Sequence, residues 1–182
     1  MTRYAALLRG IMPSNPAMAN DRLRGVLHDL GMEQVASVLA SGNLVFTAPE
    51  QDVPTLEATV QQALHETLGI PGGTIIRSLE ELRALLDSDP FPGLTHGRGT
   101  YLTATFVKDG AAPPTDLSEW ADPASGVVGF DAEARAFLAV TDNSVEGRTT
   151  EFMAWLDRTY GRDITTRTWL TVQRIVRRLE NP

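Results

Sequence analysis

Residues 4–11 are apolar over a length that suits one buried strand better than a helix. The next eight residues, 12–19, carry two prolines and continue no regular element. Asn20 or Asp21 can cap a helix in which Leu23, Val26, Leu27 and Leu30 fall on one face, with Gly31 as its stop. Residues 35–47 then read as two strands folded back through Ser41-Gly42-Asn43. A second helix is predicted over 54–68, where Leu56, Val60, Ala63, Leu64 and Thr67 recur at helical spacing. The glycines and proline of 69–73 end it, and 74–77 is a short strand.

That order is βαββαβ, the split βαβ unit or ferredoxin-like α/β plait. In this topology the first and third strands are central and antiparallel, so the end of strand one lies beside the start of strand three. Three segments are therefore expected to meet at one end of the sheet: 9–19, 41–43 and 69–73. The N-terminus of the first helix, with its unsatisfied amide groups, points to the same end.

The second half repeats the order. Ser78 and Glu81 form a capping box for a helix with Leu79, Leu82, Leu85 and Leu86 as its stripe. Residues 88–99 are rich in breakers and read as a linker. A strand at 101–107, a turn at 111–114, a short helix at 115–121 and a hairpin of 127–130 with 135–140 follow. Phe152, Trp155, Leu156 and Tyr160 define a helix over 150–160 that Gly161 ends. A brief strand at 163–165 leads to a last helix, 169–179, that buries Trp169, Val172, Val176 and Leu179 and exposes Arg174, Arg177 and Arg178. The fold class expected is α+β: two tandem ferredoxin-like (α/β plait) domains, 1–95 and 96–182, with an additional C-terminal helix. The halves share an order of elements, with no convincing residue-level repeat.

Composition narrows the chemistry. Hydrophobic residues make up 42% and charged ones 21%, ordinary for a globular chain able to bury a core without disulfides. With no cysteine, thiol catalysis, disulfides and thiolate metal sites are excluded. The N-terminal apolar run is too short for a signal peptide and is interrupted by Arg9; nothing approaches the roughly 20 apolar residues of a membrane span. A cytoplasmic protein is expected. The net charge of −7 opposes non-specific binding to nucleic acid or anionic lipid. Lys108 is the only lysine, a bias that GC-rich codon usage explains. His28, His65 and His96 stand on separate elements without metal-ligand spacing, so no metal and no cofactor are implied. There is no P-loop, nucleophile elbow or His-Glu-x-x-His.

Several stretches resemble a known family. Leu7-Leu8-Arg9-Gly10-Ile11, then Met18, Leu23 and Gly31, then Ser41-Gly42-Asn43-Leu44-Val45-Phe46, are similar to the domain-of-unknown-function family 1697. Arg77-Ser78, Glu81-Leu82 and Asp89-Pro90-Phe91 match it in turn, and Thr165-Thr166-Arg167-Thr168-Trp169-Leu170-Thr171-Val172 resembles its Thr-Thr-Arg-Asn-Trp-x-Thr-Val signature. The resemblance implies a pair of α/β plaits in a conserved bacterial-type protein of unassigned activity. Four positions depart from the family pattern. Met12-Pro13-Ser14-Asn15 replaces Asn-Val-Gly-Gly, Ala40 replaces a Gln, a Ser-Lys pair is missing from 141–152, and Thr168 replaces an Asn. The apolar framework is kept while these polar features are weakened, which points to an altered ligand site.

Two clusters are candidate sites. Arg9, with Gly10, Ser41, Gly42 and Asn43, places a guanidinium beside a donor-rich turn suited to a carboxylate or phosphate. The alternative is plain turn structure, since glycine and asparagine also suit a hairpin turn. Arg167, Thr168 and Trp169, with Thr165, Thr166 and Thr171, suggest an anion site at a helix N-terminus; the alternative is a helix cap with Trp169 in the core. A small-anion-binding or regulatory module is the first functional reading. An enzyme acting on an anionic metabolite is the second, although no nucleophile or base stands out. A structural module, with a homodimer as its form and Tyr101 and Phe106 on an open sheet face, is the third.

Overall fold

The structure, a computed structural model, describes residues 1–114, 116–121, 126–141 and 151–182. The first sheet is built from β1 (Thr2–Leu8), β2 (Glu33–Ser37), β3 (Asn43–Ala48) and β4 (Thr74–Ser78), in the order β2-β3-β1-β4, all antiparallel. Alternation along the strands turns Tyr4, Ala6, Leu8, Leu44, Phe46 and Ile76 toward α1 (Asn20–Asp29) and α2 (Val53–Leu68). There they join Leu23, Val26, Leu27, Leu56, Val60 and Leu64 in one core. Each fully buried leucine in it contributes about 1.5–3 kcal/mol.

Four local readings of the sequence are corrected. β1 stops at Leu8, because Gly10 takes φ +75° and turns the chain out of the sheet. Asn20 is the first helical residue rather than a cap; Ala19 holds the cap position without a side-chain bond, and Asn20 Nδ2 donates to Leu39 O at 3.0 Å. Leu30 lies past the end of α1 and is exposed. The connection between β2 and β3 spans 38–42, and Asn43 already belongs to β3.

Helix α2 opens on Asp52, whose carboxylate accepts from Thr55 N–H at 3.0 Å and Thr55 Oγ1 at 2.7 Å. These bonds hold its pKa below the ordinary 3.8, the hydroxyl first and the amide second. A lowered carboxyl pKa adds stability above the unfolded value, and that stability is lost as the pH falls through the folded one. Asp52→Ala is therefore expected to lower Tm at pH 7 and to come close to the parent near pH 2, while the gap between Asp52→Asn and Asp52→Ala, neither of which titrates, stays the same at both pH values. An equal loss at both pH values would contradict this.

The second sheet holds β5 (Tyr101–Val107), β6 (Val127–Asp131), β7 (Ala136–Thr141) and β8 (Ile164–Thr168), in the order β6-β7-β5-β8, again antiparallel. Val107, Val127, Phe137, Ala139 and Ile164 pack with Phe152 and Leu156 of α4 (Glu151–Tyr160). Trp120, Phe130, Trp155 and Tyr160 surround Phe137 and Phe152, with ring centroids 4.8–6.2 Å apart. Where a short helix is expected at 115–121, the chain makes one 3-10 turn, Ser118–Trp120; Thr115 and the expected helix start at 150 lie outside the described residues. Phe106 is fully buried, so it does not lie on an open sheet face.

Helices α3 (Leu79–Asp87) and α5 (Trp169–Glu180) complete five α-helices among the described residues. Two compact units result: Met1–Glu80 with Arg174–Pro182, and Glu81–Gln173. In the first, Arg3 Nη1 donates to the last carbonyls of α5, Leu179 O at 2.9 Å and Glu180 O at 3.4 Å, which suits a cation at a helix C-terminus. In the second, the breaker-rich 88–99 stretch is irregular, and Phe91 within it is buried edge-on to Trp169 at 5.1 Å.

Candidate functional site

At one end of the first sheet, β1 is gripped from both sides. Leu8 N–H donates to Gly42 O at 2.8 Å and Arg9 N–H to Gly73 O at 2.9 Å. Two close approaches require glycine. A Cβ at Gly72 would stand 2.0 Å from Arg9 O, and one at Gly42, where φ is +77°, 2.6 Å from Ile11 Cγ1. With Asn20 bonded to Leu39, the loop after β1, the 38–42 turn, the 69–73 loop and the start of α1 meet here, as the topology requires.

The side chains at this end divide into two groups. Asn43 is buried, and Nδ2 donates to Val38 O at 2.9 Å and Ser41 Oγ at 3.1 Å. Both amide hydrogens thus serve the turn. Arg9 is half-buried, Gly10 and Ser41 are exposed, and Gly42 is buried. The proline-bearing loop closes on itself: Asn15 N–H donates to Met12 O at 2.9 Å, Asn15 Oδ1 accepts from Ala17 N–H at 3.0 Å, and Met12 N–H faces Met18 Sδ at 3.3 Å. Arg9, Ser14 and Ser41 are among the half-buried or exposed polar residues of this end.

The second cluster lies in the other unit. Arg167, 9% exposed on β8, donates through Nη1 to Thr165 Oγ1 at 2.7 Å and Thr166 O at 2.9 Å. Burial pushes its pKa down to about 10, so it stays a cation at neutral pH. Thr168 Oγ1 accepts from Thr171 N–H at 3.2 Å and pairs with Thr171 Oγ1 at 2.9 Å, which caps α5. Trp169 is buried against Phe91. Hydroxyls and ring here serve the helix start and the core.

Register reveals a repeat that the sequence hides. Arg77 on β4 lies opposite Ala5 of β1, and Arg167 on β8 opposite Ala104 of β5. Each guanidinium donates back to the carbonyl before it, Ile76 O at 2.6 Å and Thr166 O at 2.9 Å. Each is followed by a hydroxyl residue and then a helix, α3 or α5. Only the arginine and the hydroxyl are common to the two stretches, too little to detect without the strand pairing.

Arg77 also has a partner that sequence reasoning missed. Glu57, fully buried on α2, places Oε1 3.6 Å from Arg77 Nη1 and accepts Ile76 N–H at 2.9 Å, covering the outer edge of β4. Its position beside Leu56 and one turn before Val60, within the apolar stripe of α2, was the available signal. Lys108, the only lysine, and Arg135 line a cavity in the second unit, a place that nothing in their sequence surroundings signals. Among the described residues, no group of three or more His, Asp or Glu is placed to hold a metal ion, and no helix is long and apolar enough to cross a membrane.

Over 99% of its length, and 99% of the other chain, this protein is similar to the solved structure of the conserved bacterial protein SP0830 from Streptococcus pneumoniae, with 22% identity and a TM-score of 0.74. At that identity the likeness concerns the fold. No curated protein matches the chain. A family model described as protein of unknown function (DUF1697) matches residues 1–137, which include the Arg9-Gly10 and Ser41-Gly42-Asn43 stretches, while the Thr165–Val172 signature falls beyond it. With well over half of its length matched, the chain belongs to the DUF1697 family.

Proposed function

We propose that this DUF1697 chain is a small-anion-binding module built on two ferredoxin-like α/β plaits, with its ligand at the loop end of the first sheet. The strand orders β2-β3-β1-β4 and β6-β7-β5-β8 support the plait reading, each with its first strand in the middle. The observation that carries the binding reading is the clamp on Arg9. Its backbone is bonded to the 69–73 loop and approached by Gly72 too closely for any other residue, so the guanidinium springs from a fixed point. Arg9 supplies the charge, and the exposed Gly10, next in the chain, and Ser41, on the turn bonded to β1 through Gly42, supply further donors. Gly42 and Asn43 act by shaping the turn. Arg167, Thr168 and Trp169 act as a helix start and a core anchor. The ligand is a carboxylate or phosphate of a small cytoplasmic metabolite, bound by a monomer or by each copy in a homodimer.

A thermal-shift screen of phosphate, nucleotides and organic acids tests this. At least one compound is expected to raise Tm. A charge-assisted bond of about 1.5–3 kcal/mol corresponds to a loss of about 10–100-fold in affinity in Arg9→Ala. Hits that survive Arg9→Ala unchanged would overturn the reading.

A further inference from the structure

Arg9 N–H donates to Gly73 O, which sets the alternation along β4. Gly73, Ile75 and Arg77 turn their backbone groups to β1, while Thr74 and Ile76 turn theirs to the outer side of this edge strand. Such a row of donors and acceptors is a template for another strand. Here side chains occupy it. Thr74 N–H donates to Gln61 Oε1 at 3.2 Å, Ile76 N–H to Glu57 Oε1 at 2.9 Å, and Arg77 Nη1 to Ile76 O at 2.6 Å. Two periods match in this arrangement. Glu57 and Gln61 are four residues apart on α2, a rise of about 6 Å, and two residues of strand rise about 6.8 Å.

The second sheet has the same arrangement on its own edge strand, β8. Lys108 N–H donates to Asp163 O at 2.7 Å, so the alternation turns the backbone groups of Thr166 outward. Arg167 Nη1 donates to Thr166 O at 2.9 Å and to Thr165 Oγ1 at 2.7 Å, so the guanidinium is held over that carbonyl. The opposite edges are interrupted instead. β2 slips register between Glu33 and Ala36, with Gln34 at φ +50°, and β6 slips between Val127 and Gly129. Stability is a poor reason for placing buried ions at an edge, because apolar replacements of a buried ion pair are often neutral or stabilising.

We propose that Arg77 with Glu57 and Gln61, and Arg167 on its own, are edge caps that keep β4 and β8 from adding a strand of a second copy of this chain. The pairing they block is isologous: β4 against β4, or β8 against β8, antiparallel across a two-fold axis. Each cap answers an outward backbone group that the incoming strand would otherwise bond.

The test is light scattering of the full chain over micromolar to millimolar concentration, with amide NMR spectra to establish that each variant is folded. The variant Glu57→Leu, Gln61→Ala, Arg77→Met uncaps β4. Its mass is expected to rise about twofold over the parent's at the same concentration. Adding Thr74→Pro removes the freed N–H at the first residue of the edge strand, where proline is tolerated, and is expected to restore the parent's mass. Association caused by loosened packing would not be reversed by that proline. Arg167→Met bares Thr166 O and leaves the first unit unchanged; it is expected to associate likewise, and it decides the matter if the triple variant does not fold. The proposal is overturned if a folded, uncapped variant keeps the parent's mass at every concentration, or if association of the triple variant survives Thr74→Pro.

Discussion

Glu57→Ala is expected to destabilise the first unit by about 3–5 kcal/mol, the cost of removing one partner from a buried ion pair. Glu57 and Arg77 are both fully buried, and Oε1 serves the guanidinium at 3.6 Å and Ile76 N–H at 2.9 Å. Truncation leaves a cation in the interior and deprives an edge-strand amide of its acceptor. Glu57→Gln keeps an acceptor for Ile76 and removes the charge, so its loss should be smaller. The pair Glu57→Leu with Arg77→Met should recover most of the stability, because desolvation offsets much of the attraction between buried charges. Urea denaturation of the two single variants and the double gives the coupling directly. A Glu57→Ala midpoint equal to the parent's would show that the pair is dispensable.

The second large effect is expected at Gly72. A methyl group there would sit 2.0 Å from Arg9 O, and both neighbours are backbone, so neither side chain can swing aside. Gly72→Ala should cost about 3 kcal/mol or more by driving the 69–73 loop away from β1, and should weaken anion binding through the same displacement. Gly25 provides the opposite sign. It lies inside α1, and a Cβ added there would meet nothing within 4 Å, so Gly25→Ala should stabilise by about 0.5–1 kcal/mol. Comparable losses at the two positions would show that the clamp on Arg9 is not tight.

Periodicity carried much of the fold. The strand at 101–107 matches β5 at both ends, and the helices around Leu56–Leu64 and Phe152–Tyr160 lie where their stripes put them. Boundaries slipped where a side chain found a partner beyond its own element. Asn20 reads as a cap locally, yet its amide reaches Leu39 across the loop cluster. The 115–121 stretch reads as a short helix, yet its described residues make one 3-10 turn, Ser118–Trp120. The meeting of three loops at Arg9 followed from topology alone. What Asn43 does there did not, because an asparagine that stabilises a turn and one that binds a ligand read alike until its hydrogens are assigned partners. The same holds for Thr168, whose hydroxyl caps α5. Glu57, Arg77 and Arg135 were harder still. Each is a charge placed by contacts distant in sequence, and composition treats such residues as surface.

The most direct measurement is an NMR titration of the parent chain and Arg9→Ala with phosphate and with acetate, following backbone amides. Binding at the loop end of the first sheet predicts shifts concentrated at Arg9, Gly10, Ser41, Gly42 and Gly72 that saturate in the parent and vanish in Arg9→Ala. Shifts spread evenly over the chain, or unchanged by Arg9→Ala, would contradict it.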